Sequence, residues 1–323
     1  MKKNPSFENS SAWKRAVIDR LDGNYVFTDH LEEIQSEIDR YLPKFLYRYR
    51  SASNVNHVAS LLAGEEWMAS PLTFNDPYDS GFAINFERLE ASIMTPDAIE
   101  VIWQKQNLDA EFDSKTKQEI LSSPKPLDAL MRALLAQSPL HQTNKDQIVE
   151  EVWRRQQEAM RDEMRDSVRI CCFSEDATSI LMWSHYADYH RGFVIEYDIE
   201  AFSADQRTAF FPVDYRDGLP DTDGVFLNRT KANLFWRVAA ACMKAIYWRY
   251  EREWRLITWN TAFSGKFEGS AHPIQMPKPA RVLLGAKIEP RNQRLIEHIC
   301  KARGIHCPPM KLEPGGFQID TAS

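Results

Sequence analysis

The chain has 323 residues, 43% of them apolar and 27% charged, with 12 Gly and 17 Pro; this balance excludes a disordered, collagen-like or low-complexity protein and leaves enough chain to bury a core without metals or disulfides. Lys plus Arg is 40 and Asp plus Glu is 46, a net charge of −6, which excludes a surface devoted to coating duplex DNA or an anionic membrane. The five cysteines, Cys171, Cys172, Cys242, Cys300 and Cys307, are odd in number, include an adjacent pair and lack CxxC spacing, so reduced thiols in a cytoplasmic protein are expected.

Residues 1–43 are polar, with apolar positions at helical spacing in Leu31, Ile34, Ile38 and Leu42, which predicts a helical lead-in docked on the main body. No apolar stretch follows Lys2 and Lys3, and no apolar run approaches the roughly 20 residues a membrane helix needs, so neither a signal peptide nor a membrane span is expected. The main body, residues 44–323, reads as a single domain. Leu46-Tyr47-Arg48-Tyr49-Arg50 has the two-residue period of a strand with one face buried. A short helix over Val55 to Leu62, closed by Gly64, leads to a second strand over Glu66 to Ser70. Phe74-Asn75-Asp76-Pro77-Tyr78-Asp79 then forms a rigid turn, because Asn and Asp bond their own backbone and Pro fixes φ.

From about Phe86 to Arg165 the composition shifts to Gln, Glu, Lys, Ala, Leu and Met with Pro breaks, predicting a helical insertion. Val168 to Phe173 reads as a strand, Leu181 to Ala187 as a helix and Phe193 to Tyr197 as a strand. Val213 to Tyr215 is a further short strand, after a loop with Gly218, Pro220 and Gly224 comes a helix from roughly Arg229 to Tyr247, and Trp254 to Trp259 alternates as a strand. Val282 to Ile288, a helix over Leu295 to Ala302 and a strand pair about Gly315-Gly316 complete the chain. The fold class expected is α+β, with a mixed, mainly antiparallel sheet core and a helical insertion.

Three stretches carry the chemistry. Residues 182–192 pack Trp183, Ser184, His185, Tyr186, Tyr189, His190 and Arg191 together; helical spacing buries Trp183 with Ala187 and projects Ser184, His185 and Asp188 elsewhere. KAIYWRYEREWRL at 244–256 places Glu251 and Glu253 two apart, on one face if the segment is a strand. In a cleft lined by tryptophans, desolvation and each other's charge would raise one proton affinity and suit acid/base or oxocarbenium-stabilising work; on an exposed strand the same residues form an ion-pair ladder. Arg48 and Arg50 share a strand face, where arginine forks bind phosphate or carboxylate or simply pair with acids. GxGxxG, GxxxxGK[ST], HExxH, GxSxG and EF-hand patterns are absent from the sequence, which removes support for dinucleotide dehydrogenase, P-loop, zincin and α/β-hydrolase readings. His185 and His190 fall roughly 140° apart on a helix at about 100° per residue, poor spacing for a metal, and no metal site is expected.

The motifs L-Y-R-Y, F-N-D-P-Y, C-F-S, M-W-x-x-Y-A-x-x-H-x-G and Y-E-x-E-W-R occur in that order over roughly 44–260, and in this the chain resembles a widespread bacterial family known only as a domain of unknown function. A second likeness is to the ADP-ribosyltransferase superfamily, with Arg48 on the first strand, Ser184 or Tyr186 midway and Glu251-x-Glu253 late, although no Ser-Thr-Ser strand motif is present. This resemblance implies an ADP-ribosyltransferase-like fold that binds NAD without a Gly-rich loop and modifies a macromolecular acceptor, as a toxin or phage-defence effector. It implies catalytic roles for Glu253, which grips the ribose, for Glu251, which orients the acceptor, and for Tyr186 and His185, with Arg48, Tyr47, Asn75, Asp76, Ser184, Trp183 and His190 holding the nucleotide. Two other readings stay open: a nuclease or other hydrolase using Asp76, Asp79, His185, His190 and the Glu pair with a divalent ion, and a non-catalytic module that binds a nucleotide or a partner. All require the three stretches to converge on one cavity.

Overall fold

A computed structural model describes residues 7–22, 31–83, 95–219, 235–259 and 267–321. The alternating segments assemble into an eight-stranded sheet. Its strands are β1 (Phe45–Arg50), β2 (Glu65–Ala69), β3 (Val168–Ser174), β4 (Phe193–Asp198), β5 (Phe210–Pro212), β8 (Glu253–Trp259), β9 (Ala271–Gln275) and β10 (Arg281–Leu284). The order is β10-β4-β1-β3-β2-β9, with β8 pairing both β3 and β5, and every pairing in it is antiparallel. Two small sheets accompany it. β6 (Asp214–Arg216) runs parallel to β7 (Met243–Ala245), and β11 (Met310–Leu312) pairs with β12 (Ile319–Thr321). The protein is α+β with a mainly antiparallel sheet, as composition and periodicity indicate.

β3 is the hub. It pairs along its whole length with β8, from Val168↔Trp259 to Ser174↔Glu253. Its other edge meets β1 only at Tyr47↔Ser174 and β2 only at Ala69↔Ile170. Between these two points the ladder is interrupted, and the backbone there must find partners among side chains.

The helices are α1 (Phe7–Asp22), α2 (Leu31–Tyr41), α3 (Val55–Ala63), α4 (Pro96–Lys105), α5 (Ser114–Leu121), α6 (Pro126–Ala136), α7 (Gln142–Asp166), α8 (Ile180–Tyr186), α9 (Ala204–Arg207), α10 (Trp236–Ala241) and α11 (Pro290–Arg303). Val17, Ile18 and Leu21 of α1 and Ile34 and Ile38 of α2 enter the same apolar core as Leu46, Ile170, Phe173, Trp254 and Leu256 of the sheet, each such side chain contributing about 1.5–3 kcal/mol. α3 starts on the Asn54 side chain, which accepts from the Asn56 N–H, and stops at Gly64, whose φ of 77° lies in the left-handed region. α4 to α6 build a separate small core from Ile99, Trp103, Leu108, Ile120 and Leu130. Residues 84–94, at the start of the predicted insertion, lie outside the described residues. Among the described residues no helix is long and apolar enough to cross a membrane.

Two expectations are corrected. The helix predicted over roughly Arg229 to Tyr247 is confined to Trp236–Ala241 among the described residues; its first part, to Leu234, lies outside them, as do Pro220 and Gly224 of the loop before it. Met243–Ala245 instead pairs with Asp214–Arg216, so tertiary pairing overrides a local helical period. Glu251 ends a 3-10 segment, Ile246–Glu251, and is not on a strand beside Glu253. The left-handed Arg252, φ 46° and ψ 53°, turns the chain between the two carboxylates.

Candidate functional site

The interruption in the sheet opens into a cavity of about 460 Å³. Arg48 spans the gap from the β1 side and donates through NH1 to the Cys172 carbonyl, a backbone group the ladder leaves unpaired. Glu66 of β2, fully buried, accepts from both Arg48 and Arg50. Two guanidinium groups thus share one carboxylate, an excess of one positive charge, and the Arg50 Nε has no partner among the described residues.

The opposite wall has the reverse balance. Arg255, wholly buried on β8, grips Asp79 in a two-pronged pair, NH1 to Oδ1 and NH2 to Oδ2 both at 2.8 Å. It also holds Glu253 through Nε at 2.9 Å and NH2 at 3.1 Å. Lys244 of β7 points into the same cluster, with Nζ 2.5 Å from Glu251 Oε2, 3.2 Å from Glu253 Oε2 and 3.3 Å from Asp79 Oδ2. With Glu251 ionised, three carboxylates share two cations, an excess of one negative charge. The turn 74–79 delivers Asp79 because Asp76 Oδ1 accepts from the Tyr78 N–H at 2.8 Å and bends the backbone.

The two glutamates are not equivalent. Glu253 is saturated, and although desolvation would raise its proton affinity, Arg255 and Lys244 outweigh it and hold the carboxyl well below the usual range. Burial, and then the Glu253 charge, push the Glu251 carboxyl up to about 7. Its free oxygen Oε1 accepts from the Tyr186 hydroxyl at 2.5 Å, and Asn75 hydrogen-bonds the same tyrosine. Burial, followed by the Glu251 charge, raises the Tyr186 phenol well above its ordinary value, so it stays a donor. Lys244 resists the desolvation that would discharge it because Glu253 and Asp79 hold its proton. The cavity is thus cation-rich at the β1 end, and at the other it carries a carboxyl that changes charge near neutral pH.

Tyr47, Arg48, Asn75, His185, Tyr186, Glu251 and Glu253 line this one cavity, so the three motif-dense stretches converge. Tyr47 hydrogen-bonds Glu196, and burial followed by that charge raises its phenol. Trp183, Ser184, His190 and Asp76 are placed otherwise. Trp183 is core: its Nε1 donates to the Ala177 carbonyl at 2.8 Å, Tyr49 meets it edge-on at 5.5 Å and His190 stacks on it at 6.2 Å. Ser184 bonds the Ile180 carbonyl and the His190 Nε2 at 2.8 and 3.2 Å. Desolvation, then Lys287, lowers His190 below its usual range. Asp188, Tyr189 and His190 all have positive φ, 50°, 57° and 69°; a Cβ at Gly285 would meet the His190 carbonyl oxygen of this turn at 2.2 Å, and one at Gly192 would meet the Arg50 carbonyl oxygen of β1 at 2.1 Å.

Sequence reasoning missed Glu66, Lys244 and Arg255. Lys244 was absorbed into a helix that ends before it. Arg255 could have been found: two along a strand from Glu253, it shares that residue's face, where its fork can hold acids.

Residues 182–256 match the model of a family described as a protein of unknown function (DUF2971). That segment holds α8 from Met182 onward, with Lys244, Glu251, Glu253 and Arg255. No curated protein and no solved structure matches the chain.

Proposed function

We propose that this chain cleaves the N-glycosidic bond of NAD and transfers the ADP-ribosyl group to a macromolecular acceptor, with Glu251 as the working carboxylate. The observation that carries this reading is the charge gradient across one cavity: a surplus cation at Arg48 and Arg50, and a surplus of carboxylate around Glu251. NAD has the matching polarity, an anionic pyrophosphate and a cationic pyridinium ring on the same molecule. Arg48 and Arg50 hold the pyrophosphate, while Glu251 faces the ribose, where positive charge grows as the bond to the ring breaks. The bond between C1′ and the ring nitrogen breaks with its electron pair going to the nitrogen, which neutralises the ring. The acceptor's nucleophilic atom bonds C1′ and passes its proton to Glu251, whose affinity near 7 suits a base at neutral pH. Tyr186 fixes the rotamer of Glu251 by its bond to Oε1. Glu253, saturated by Arg255 and Lys244, sets the electrostatics of Glu251 and does not take a proton.

A metal-dependent hydrolase fits the donor set less well. Each carboxylate of the cluster is already held by Lys244 or Arg255, and a divalent ion would have to displace those cations. The deciding experiment is nicotinamide release from NAD, followed by chromatography, alongside Glu251→Gln. Release that falls at least about a hundredfold in the variant is expected. No release by the unaltered chain with any acceptor, together with no thermal stabilisation by NAD, removes the reading.

A further inference from the structure

Ser174 closes β3, and Glu175 follows it, directly behind the turn that carries Glu251. The Ser174 hydroxyl donates to the Glu251 carbonyl at 2.7 Å, and the Glu175 N–H donates to the Arg252 carbonyl at 3.0 Å. The Glu175 side chain then accepts from Arg252 NH2 at 3.0 Å, from Trp254 Nε1 at 2.7 Å and from Lys14 Nζ at 2.9 Å. Lys14 belongs to α1, more than 160 residues away in sequence. It is buried, and it also lies 5.6 Å from the centre of the Trp254 ring. Trp13 packs 6.1 Å from that ring and stacks on Tyr41 at 4.3 Å. A non-glycine residue in the left-handed region needs its surroundings to hold it there, and at Arg252 these bonds do so.

We infer that Lys14 and Glu175 are positioning residues for Glu251: the N-terminal helix is an outer brace of the active site, locking the left-handed Arg252 turn from behind. The inference rests on the reading of Glu251 as the working carboxylate. Neither Lys14 nor Glu175 lines the cavity. They act through Arg252 and Trp254, which set the height of the Glu251 side chain against the groups that face it: Lys244, Glu253, Tyr186, Tyr215 and Tyr250. With the brace removed, Glu251 shifts toward water and its proton affinity falls toward that of an ordinary carboxyl.

The test uses the full chain with Lys14→Met, Glu175→Gln and Lys14→Arg, each checked for cooperative melting. The Glu251 carboxyl is titrated by carbon-13 NMR, assigned by its loss in Glu251→Gln, and nicotinamide release is measured on the same samples. In Lys14→Met and Glu175→Gln the Glu251 inflection is expected to move down, and kcat to fall about tenfold with KM unchanged, since small misplacements act on the reacting geometry. Lys14→Arg keeps the charge at Glu175 and restores both. An inflection and a kcat that stay put in folded Lys14→Met and Glu175→Gln overturn the inference. Nicotinamide release absent from every sample while the inflection moves leaves the brace standing and refutes the proposed reaction.

Discussion

Glu251 and Glu253 share a lysine and differ in fate, and two tests follow from that difference. Because the folded state raises Glu251 to about 7, it binds more protons than the unfolded chain between the ordinary carboxylate value and neutrality. The contribution of Glu251 to stability is therefore fully present at low pH and declines as pH rises through that window. Glu251→Gln should abolish this decline in melting temperature between pH 5 and about 7, leaving the acid side of the profile unchanged. Nicotinamide release by the unaltered chain should rise over the same window as Glu251 loses its proton, which initial rates across pH will show. Glu253 has the opposite sign: held low by Arg255 and Lys244, its contribution is present at neutral pH and is lost as pH falls below the carboxylate range. Arg255→Met removes the cation between two buried acids and should cost about 3–5 kcal/mol in denaturant unfolding. The double variant Arg255→Met with Asp79→Asn should recover part of that loss, since one uncompensated charge is gone.

Among the elements, β1 and β8 were legible as strands from local alternation, although the expected single buried face is not found, since both strands bury residues on both faces; α8 was legible because its apolar spacing buries Trp183 and Ala187 together, as observed. β9 and β5 were not. Ala271–Gln275 contains a proline and mixed polarity, acceptable only because it pairs with β2 at the margin of the sheet, and Phe210–Pro212 is too short to show a period. The segment from Met243 to Glu251 was misread because its apolar residues continue a helical spacing, whereas Met243–Ala245 finds its backbone partners at Asp214–Arg216 and Ile246–Glu251 winds as a 3-10 turn. The same remoteness hid the role of Ser174 as the strut beneath Glu251. Ser174→Ala leaves the Glu251 carbonyl without its donor in a buried place, at a cost of about 1–3 kcal/mol. Equilibrium unfolding should register that loss, and a silent variant would show that the Glu251 carbonyl finds another donor.

At the scale of the molecule, the convergence of three sequence stretches on one cavity could be expected but not located, since convergence depends on strand order and strand order on pairings across the whole chain. Composition did indicate a large core, and α1 and α2 supply part of it. The separate core of Ile99, Trp103, Leu108, Ile120 and Leu130 makes α4 to α6 an energetic unit of its own. Trp103→Ala should lower the stability of that unit by about 3–5 kcal/mol. Hydrogen exchange should then quicken across 96–136 and stay slow in 168–174 and 253–259, with nicotinamide release unaltered; acceleration spread evenly over the chain would mean that the two cores melt together.

The single-pair junctions of β3 with β1 and β2 also set the mechanical compliance of the binding cleft. A continuous ladder resists spreading by many parallel backbone bonds, whereas here β3 is joined to β1 and β2 by single pairs, with the guanidinium of Arg48 bridging the gap between them. Under the proposed function, a pyrophosphate held by Arg48 would compete with the Cys172 carbonyl for that guanidinium, tying occupancy to the width of the cleft.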